Sequence, residues 1–296
     1  MQSFKRPDIL LYLMAAAVPI AFGVWQSLLN NFTIESANFT GVEIGILQSL
    51  REIPGFLAFA VVFVLLVIRE QTLAAVSLLI MGLGTAITGY FPSEIGLYCT
   101  TVLMSIGFHY YETINQSLSL QFFSKAEAPI KMGKLVAIGS AASLVAFSIV
   151  WLLLELLQVS MVTIYVIGGV TTMLIAIFCW FYFPHFEGKV EQHKKIRLRK
   201  RYWLYYALVF MGGARRQIFV VFSGFLMVEK FGFSASDIAL MFLANGVLNI
   251  FFAPLIGTTT SSRCHLSAAA GRSRLMQCAK CRPNRFTHLR TASRLT

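Results

Sequence analysis

The sequence predicts an all-α integral membrane protein, from its composition, the length of its apolar stretches and the placement of its basic residues. Of the 296 residues, 57% are hydrophobic and 13% are charged, whereas about a quarter of a typical soluble domain is charged. A helix needs about 20 consecutive apolar residues to cross a bilayer. Composition therefore assigns most of the chain to a lipid environment.

Eight apolar stretches are long enough to span a membrane, and short polar segments separate them. Lys5 and Arg6 precede the first stretch as they would in a secretory signal, but this stretch is too long for a signal and is predicted to be retained. The eight predicted spans cover approximately 8–30, 42–68, 72–91, 95–122, 135–157, 160–183, 203–228 and 237–257.

Polar and small residues mark special positions in the first four spans. The second begins at the sequence TGVE, a hydroxyl-x-x-acid box of the kind that caps a helix start, and Pro54 is expected to bend it. GLGTA in the third span predicts close helix packing. The fourth span carries the polar run HYYETINQ. Ionisable residues inside a membrane are costly, so they are functional candidates by default.

The last four spans show related signals. GSAASLVA in the fifth span again predicts close packing. Aromatic residues end the sixth span and begin the seventh, where their rings prefer the membrane interface. The seventh span carries GGARRQ, and the eighth begins at a second capping box, SASD.

The basic residues predict the orientation, because Lys and Arg beside membrane spans stay preferentially in the cytoplasm. With the N-terminus inside, only Lys230 lies in an outer loop. The cytoplasmic segments then hold Lys5, Arg6, Arg69, Lys125, Lys131, Lys134, Lys189, Lys194, Lys195, Arg197, Arg199, Lys200 and Arg201. We therefore predict a multi-pass protein of the inner membrane whose N-terminus and basic central loop are cytoplasmic. This loop is interpreted as touching lipid headgroups rather than binding a specific nucleic acid.

An internal repeat connects the two ends of the apolar region. FTGVEIG at 39–45 and FSASDIA at 233–239 share one pattern at an offset of 194 residues. At this offset the first span aligns with the seventh, and the second with the eighth. Two capping boxes in register indicate a duplicated half.

Six spans, a basic cytoplasmic loop and a second half like the first resemble the major facilitator superfamily over residues 1 to about 257. Its members are twelve-helix secondary transporters made of two six-helix halves, with a substrate site near the midplane. The loop that carries the family signature reads VIREQTL here and keeps only Arg69 and Glu70. The resemblance implies an N-terminal half at 1–184, a linker at 185–202 and the start of a second half at 203–257.

The tail at 258–296 differs from the rest of the chain, with eight Lys or Arg residues and no Asp or Glu. We expect it to be disordered and foreign to the family, as truncation or a shifted reading frame after Gly257 would produce. The other reading frames beyond codon 257 should then encode four further spans. Cys264, Cys278, Cys281 and His288 are weak zinc candidates, but a lone Cys-x-x-Cys without paired His does not predict a metal site.

The fourth and seventh spans supply the candidates for substrate binding or ion coupling. The spacing of His109, Glu112 and Gln116 places them on one helical face, and a carboxylate beside a His in a partly dry cavity can carry a proton. In the resembling family the first, fourth and seventh helices line the cavity. Arg215 or Arg216 would then lie opposite Glu112 and bind an anionic group or neutralise that carboxylate. Gln26 of the first span joins this set, with interhelical hydrogen bonding as its alternative.

A second group of residues is predicted to form a gate, with direct contact to the substrate as the alternative. Arg51 and Glu52 are adjacent on the second span and are expected to pair elsewhere, because neighbouring helical residues do not face each other. Pro54 and Asn245 complete the group. In the resembling family the second, fifth and eighth helices pack at the interface between the halves.

The sequence predicts a secondary active transporter that moves a small organic solute by alternating access, with protons as a candidate coupling ion. No phosphate-binding loop, activated nucleophile or metal quartet occurs in the spans, which argues against an ATP-driven pump or an enzyme, and no cofactor is implied. The alternative is a non-transporting membrane protein or transporter remnant with a partner-binding role.

Overall fold

The computed structural model describes residues 6–124, 127–186, 200–204, 207–208, 211 and 223–248. All regular secondary structure in these ranges is helical. The predicted all-α membrane fold is therefore confirmed, and the first six predicted spans each correspond to a helix.

The helices are numbered α1 to α8 in chain order. The first six are α1 (Pro7–Ala37), α2 (Gly41–Phe56), α3 (Glu70–Thr88), α4 (Glu94–Phe122), α5 (Ala128–Glu155) and α6 (Met161–Tyr182). The predicted seventh span is described only in part, and α7 covers 223–231. The eighth helix, α8 (Ala235–Leu248), begins two residues before its predicted span.

Five helices in the described ranges are long and apolar enough to cross a membrane: Pro7–Ala37, Gly41–Val64, Glu70–Thr88, Ile130–Glu155 and Met161–Tyr182. With 29 residues α4 is long enough, but its polar run makes it less apolar than these five. The long helix that is missing from this set thus carries three of the predicted coupling residues, His109, Glu112 and Gln116.

The helical hydrogen-bonding pattern changes shortly after Pro54, where a bend is predicted. The α-helix ends at Phe56 and continues through the 3-10 turn Leu57–Ala60 into one further helical turn, Val61–Val64. Proline removes a backbone donor and crowds the preceding turn, so a helix commonly breaks or bends beside it.

The predicted repeat has the same local structure at both corners. Asn38 after α1 and Gly232 after α7 both have left-handed backbones, with φ of 53° and 66°. The amides of Asn38 and Phe39 bond the carbonyls of Ile34 and Thr33, and those of Gly232 and Phe233 bond the carbonyls of Val228 and Met227. Every one of these positions is offset by 194 residues, so both corners use the same helix-ending motif.

Both predicted capping boxes are also formed. Thr40 accepts a hydrogen bond at the start of α2, and the Glu43 carboxylate bonds the Thr40 amide at 2.8 Å. At the start of α8 the Asp237 carboxylate bonds the Ser234 amide at 2.9 Å, and the Asp237 amide returns a bond to the Ser234 hydroxyl at 3.2 Å. Both corners therefore have the same local backbone structure, which is what the predicted duplication requires.

Helix packing in the first half centres on α3, which lies against α4 and α6, while α1 packs on α5 and α6. Glycines permit the closest approaches. A Cβ on Gly84 would lie 2.8 Å from the Met104 Cα, and one on Gly82 would lie 2.7 Å from the Gly169 carbonyl. This contact confirms the close packing predicted from GLGTA. Small residues act this way in lipid because van der Waals contact holds the helices together.

Candidate functional site

A charged pair lies on α2, between α1 and α4. The Arg51 Nη2 is 2.6 Å from the Glu52 Oε1, and the Arg51 Nε is 3.1 Å from the same oxygen. The expectation that these neighbours pair elsewhere was therefore wrong. Their Cβ atoms diverge, but both side chains are long enough to meet beside the helix.

Contacts with α1 and α4 hold Arg51 in place. Its guanidinium lies 5.8 Å from the centroid of the Trp25 ring on α1, within the range of a cation–π contact. The Ser105 hydroxyl on α4 donates to the Arg51 backbone carbonyl. The Arg51 side chain is 11% exposed and that of Glu52 is 42% exposed. The carboxylate is therefore the more accessible charge of the pair.

His109 lies beside this pair, where α2 passes close to α4. A Cβ added to Gly55 would lie 2.8 Å from the His109 Cε1, so only a glycine leaves room for the ring. The charges of Glu52 and Arg51 both act on His109. The structure thus joins one predicted coupling residue to the predicted gate residues, two groups that the sequence analysis had kept apart.

The other coupling candidates of α4 lie further along the helix. Glu112 is partly buried, and no hydrogen bond or ion pair joins it to His109 or to another described residue. Gln116 is exposed, and Gln26 on α1 is partly buried. The pairing expected between His109 and Glu112 is therefore not formed, because the His109 ring is directed towards α2.

Aromatic rings connect α1 to α4 next to the charged pair. Phe22 stacks on Phe108, with ring centroids 4.7 Å apart and planes inclined by 16°. The Phe22 ring also lies 6.0 Å from the Trp25 ring. Offset ring pairs of this kind stabilise a fold beyond the burial of their area. The charged pair therefore lies beside well-packed aromatic rings.

Several buried polar atoms on α1, α2 and α4 have no hydrogen-bond partner among the described residues. They include the Trp25 Nε1 on α1, the Gln48 Oε1 on α2 and the Asn115 Oδ1 on α4. A buried polar group without a partner costs about 1–3 kcal/mol. These atoms are an unused donor and two unused acceptors, and all three are shielded from solvent in this conformation.

Two further gate candidates are described. Pro54 is buried in α2, whereas Asn245 is exposed on α8. Near Asn245, α8 contacts α5 through Phe242, whose ring stacks on Phe147 at 5.3 Å. This contact agrees with the expected packing of the fifth and eighth helices.

Some predicted residues cannot be placed in this arrangement. Arg215 and Arg216, most of the basic linker and the tail with Cys264, Cys278, Cys281 and His288 lie outside the described residues. In the ranges that the structure does describe, no group of three or more His, Cys, Asp or Glu side chains could hold a metal ion.

A second polar cluster, at the opposite end of α4, was missed by the sequence analysis. Glu70 at the start of α3 accepts hydrogen bonds from Ser117 and Gln121 of α4. The adjacent Gln71 donates to the Pro184 carbonyl at 3.0 Å and accepts from the Phe186 amide at 3.1 Å. The only signal for this cluster was the polar REQT sequence that opens the third span. Its partners lie in the last two turns of α4 and just after α6, and they could not be inferred from spacing.

Comparisons with known proteins agree with this architecture. The chain is similar to the crystal structure of the nucleoside transporter NupG, with a TM-score of 0.66 and 14% identity, over 86% of this chain and 68% of that one. This likeness shows that the chain shares the fold of that structure. It is also similar to the crystal structure of an auto-inhibited POT family peptide transporter, with a TM-score of 0.45, 15% identity and coverage of 81% and 51%. No protein-family model and no curated protein matches the sequence.

Proposed function

We propose that this chain acts in secondary transport, moving a small organic solute across the inner membrane by alternating access with proton coupling. The observation that carries the proposal is the cluster of Arg51, Glu52 and His109 between apolar helices of a transporter fold. Ionisable groups inside a membrane are costly and are usually retained for a function.

The chemistry of the cluster supports a polar solute of modest size. The Trp25 Nε1 and the Gln48 Oε1 are buried without a hydrogen-bond partner among the described residues, so they could bind such a solute only after the helices around them separate. The Glu52 carboxylate is the accessible charge of its pair. Glu112 is the candidate for proton coupling because it is partly buried without a partner among the described residues.

Ligand-induced stabilisation tests the proposal first. The purified chain is heated in detergent with a panel of metabolites that includes nucleosides, because a ligand that binds only the folded state raises the melting temperature. We expect at least one compound to stabilise the protein, and Glu52→Gln to reduce this effect. Glu155→Gln is the control, since Glu155 lies exposed at the end of α5.

Uptake of the stabilising compound into proteoliposomes then tests transport. An inward proton gradient should drive its accumulation, and collapsing the gradient should abolish this accumulation. A protein that binds none of the panel and accumulates none of it would favour the alternative, a non-transporting membrane protein with a partner-binding role.

A further inference from the structure

Each corner of the repeat contacts a helix of the other pair, at the interface between the first helix pair, α1–α2, and the second, α7–α8. The Asn31 Nδ2 on α1 donates to the Phe233 carbonyl at 2.9 Å. Position 31 corresponds to 225 at the offset of 194, and the Phe225 ring in turn lies against Gly41, 3.7 Å from where a Cβ would be. Thus Asn31 of the first pair and Phe225 of the second, which are equivalent in the repeat, each contact the corner of the other pair.

A third contact identifies the axis that relates the two pairs. A Cβ on Gly224 would lie 3.0 Å from the Asn30 Nδ2, and 30 and 224 are equivalent positions of the repeat. Equivalent positions meet only beside a twofold axis. The local twofold axis therefore passes between α1 and α7 at this level, next to Asn31.

The hydrogen bond between Asn31 and Phe233 contributes less net stability than a fully satisfied amide would. Asn31 is 2% exposed, and its Oδ1 has no hydrogen-bond partner in the part of the chain that the structure describes. The unsatisfied oxygen offsets part of what the bond to Phe233 contributes, whereas separation of the corners would let water satisfy the whole amide. At the equivalent position, Phe225 makes only an apolar contact. Among the described residues the polar contact of Asn31 is therefore only half satisfied.

We propose that Asn31 is the latch residue of a gate at the outer end of the protein, where its hydrogen bond to Phe233 holds the two corners together while that end is closed. The charge distribution of the sequence assigns the corners to the outer side. The proposal rests on the proposed transport function. The latch is a positioning element, which sets how often the outer end opens and does not itself bind solute.

Disulfide trapping tests the latch without requiring transport. The five native cysteines are replaced by serine, and Asn30→Cys with Gly224→Cys is oxidised in membrane vesicles. We expect a cross-link, and we expect Asn31→Asp to slow its formation by roughly two- to twelvefold, the range that corresponds to one net hydrogen bond. Asn31→Asp keeps the side-chain size and replaces the donor by an acceptor.

Thr172→Val is the matched control, because the Thr172 hydroxyl donates to the Ala17 carbonyl at 3.2 Å between two helices of the same half. It should leave the cross-linking rate unchanged. If Asn31→Asp cross-links as fast as the parent, or if Thr172→Val slows the reaction equally, the latch is disproved. A quantitative cross-link in the Asn30→Cys and Gly224→Cys protein that still permits full solute uptake would also disprove the gate.

The two proposals fail in different ways. If the reduced protein takes up no solute, the transport function fails, while the cross-linking rates still decide whether Asn31 holds the corners together. If the reduced protein transports, oxidation should stop uptake and a reductant should restore it.

Discussion

Gly55 lies where α2 passes closest to the His109 ring. A side chain at this position would need the space that the ring occupies, since its Cβ would lie 2.8 Å from the His109 Cε1. The position of the imidazole beside Arg51 and Glu52 therefore depends on the absence of a side chain at position 55. The same helix has a second glycine, Gly45.

Gly55→Ala should displace His109 and lower the free energy of unfolding by about 1–3 kcal/mol, the usual cost of overpacking. Thermal unfolding in detergent measures this change, and loss of ligand-induced stabilisation would show that the site is altered as well. Gly45→Ala is the control, because nothing lies within 4 Å of its Cβ position. It should be neutral or stabilising by about 0.5–1 kcal/mol. Equal effects of the two substitutions would contradict the packing argument.

Glu112→Gln should abolish proton-driven accumulation of the solute, because an amide cannot carry the proton. Exchange of solute across the membrane at equal pH should persist, since binding and opening do not need that proton. Proteoliposome uptake with and without a pH gradient separates these two activities. Unchanged accumulation in Glu112→Gln would eliminate its role in coupling, and Glu155→Gln serves as the control.

The residue roles show where sequence reasoning reaches its limit. The depth of Arg51, His109 and Glu112 in the membrane followed from counting along predicted spans. Their partners did not, because partners depend on the rotation and crossing of helices that are far apart in sequence. The proximity of His109 to Gly55 and of Arg51 to Trp25 is a result of that packing.

At the scale of elements, the two helix corners give the most direct measure of the duplication. Thr40→Ala and Ser234→Ala should each lower the free energy of unfolding by about 1 kcal/mol, because each removes the side chain that caps a helix start. Ser49→Ala is the control, since its hydroxyl only bonds the Gly45 carbonyl on an exposed face of α2. Thermal or chemical unfolding in detergent checks all three. If only one cap contributed, the two corners would not be equivalent in energy.

The corners could be predicted from sequence because a capping box is a local structure, set by residues three positions apart. The close contact of α3 with α4 was predicted only in part. GLGTA indicated an interface, but nothing in the sequence showed that its partner would be the Met104 turn of α4. Local chemistry fixes where helices begin and end, whereas their neighbours are decided by tertiary packing.

For the whole molecule, the distribution of basic residues predicts a single topology. A phosphatase reporter, which is active only outside the cytoplasm, should be inactive when fused after Lys194 and active when fused after Pro92, in the segment between α3 and α4. A fluorescent protein that folds only in the cytoplasm should give the opposite pattern. Phosphatase activity at Lys194 would reverse the orientation and with it the assignment of the Asn31 corner to the outer side.

The polarity of α4 has a consequence for biogenesis. Charged residues near the middle of a helix each cost about 2.5–3.5 kcal/mol when the translocon passes that helix into lipid, and α4 is absent from the five helices apolar enough to cross a membrane. Gly84 on α3 and Gly107 on α4 let the two backbones meet. The ribosome would therefore deliver α3 and α4 as one hairpin, with α4 leaving the translocon against a partner that has already been synthesised.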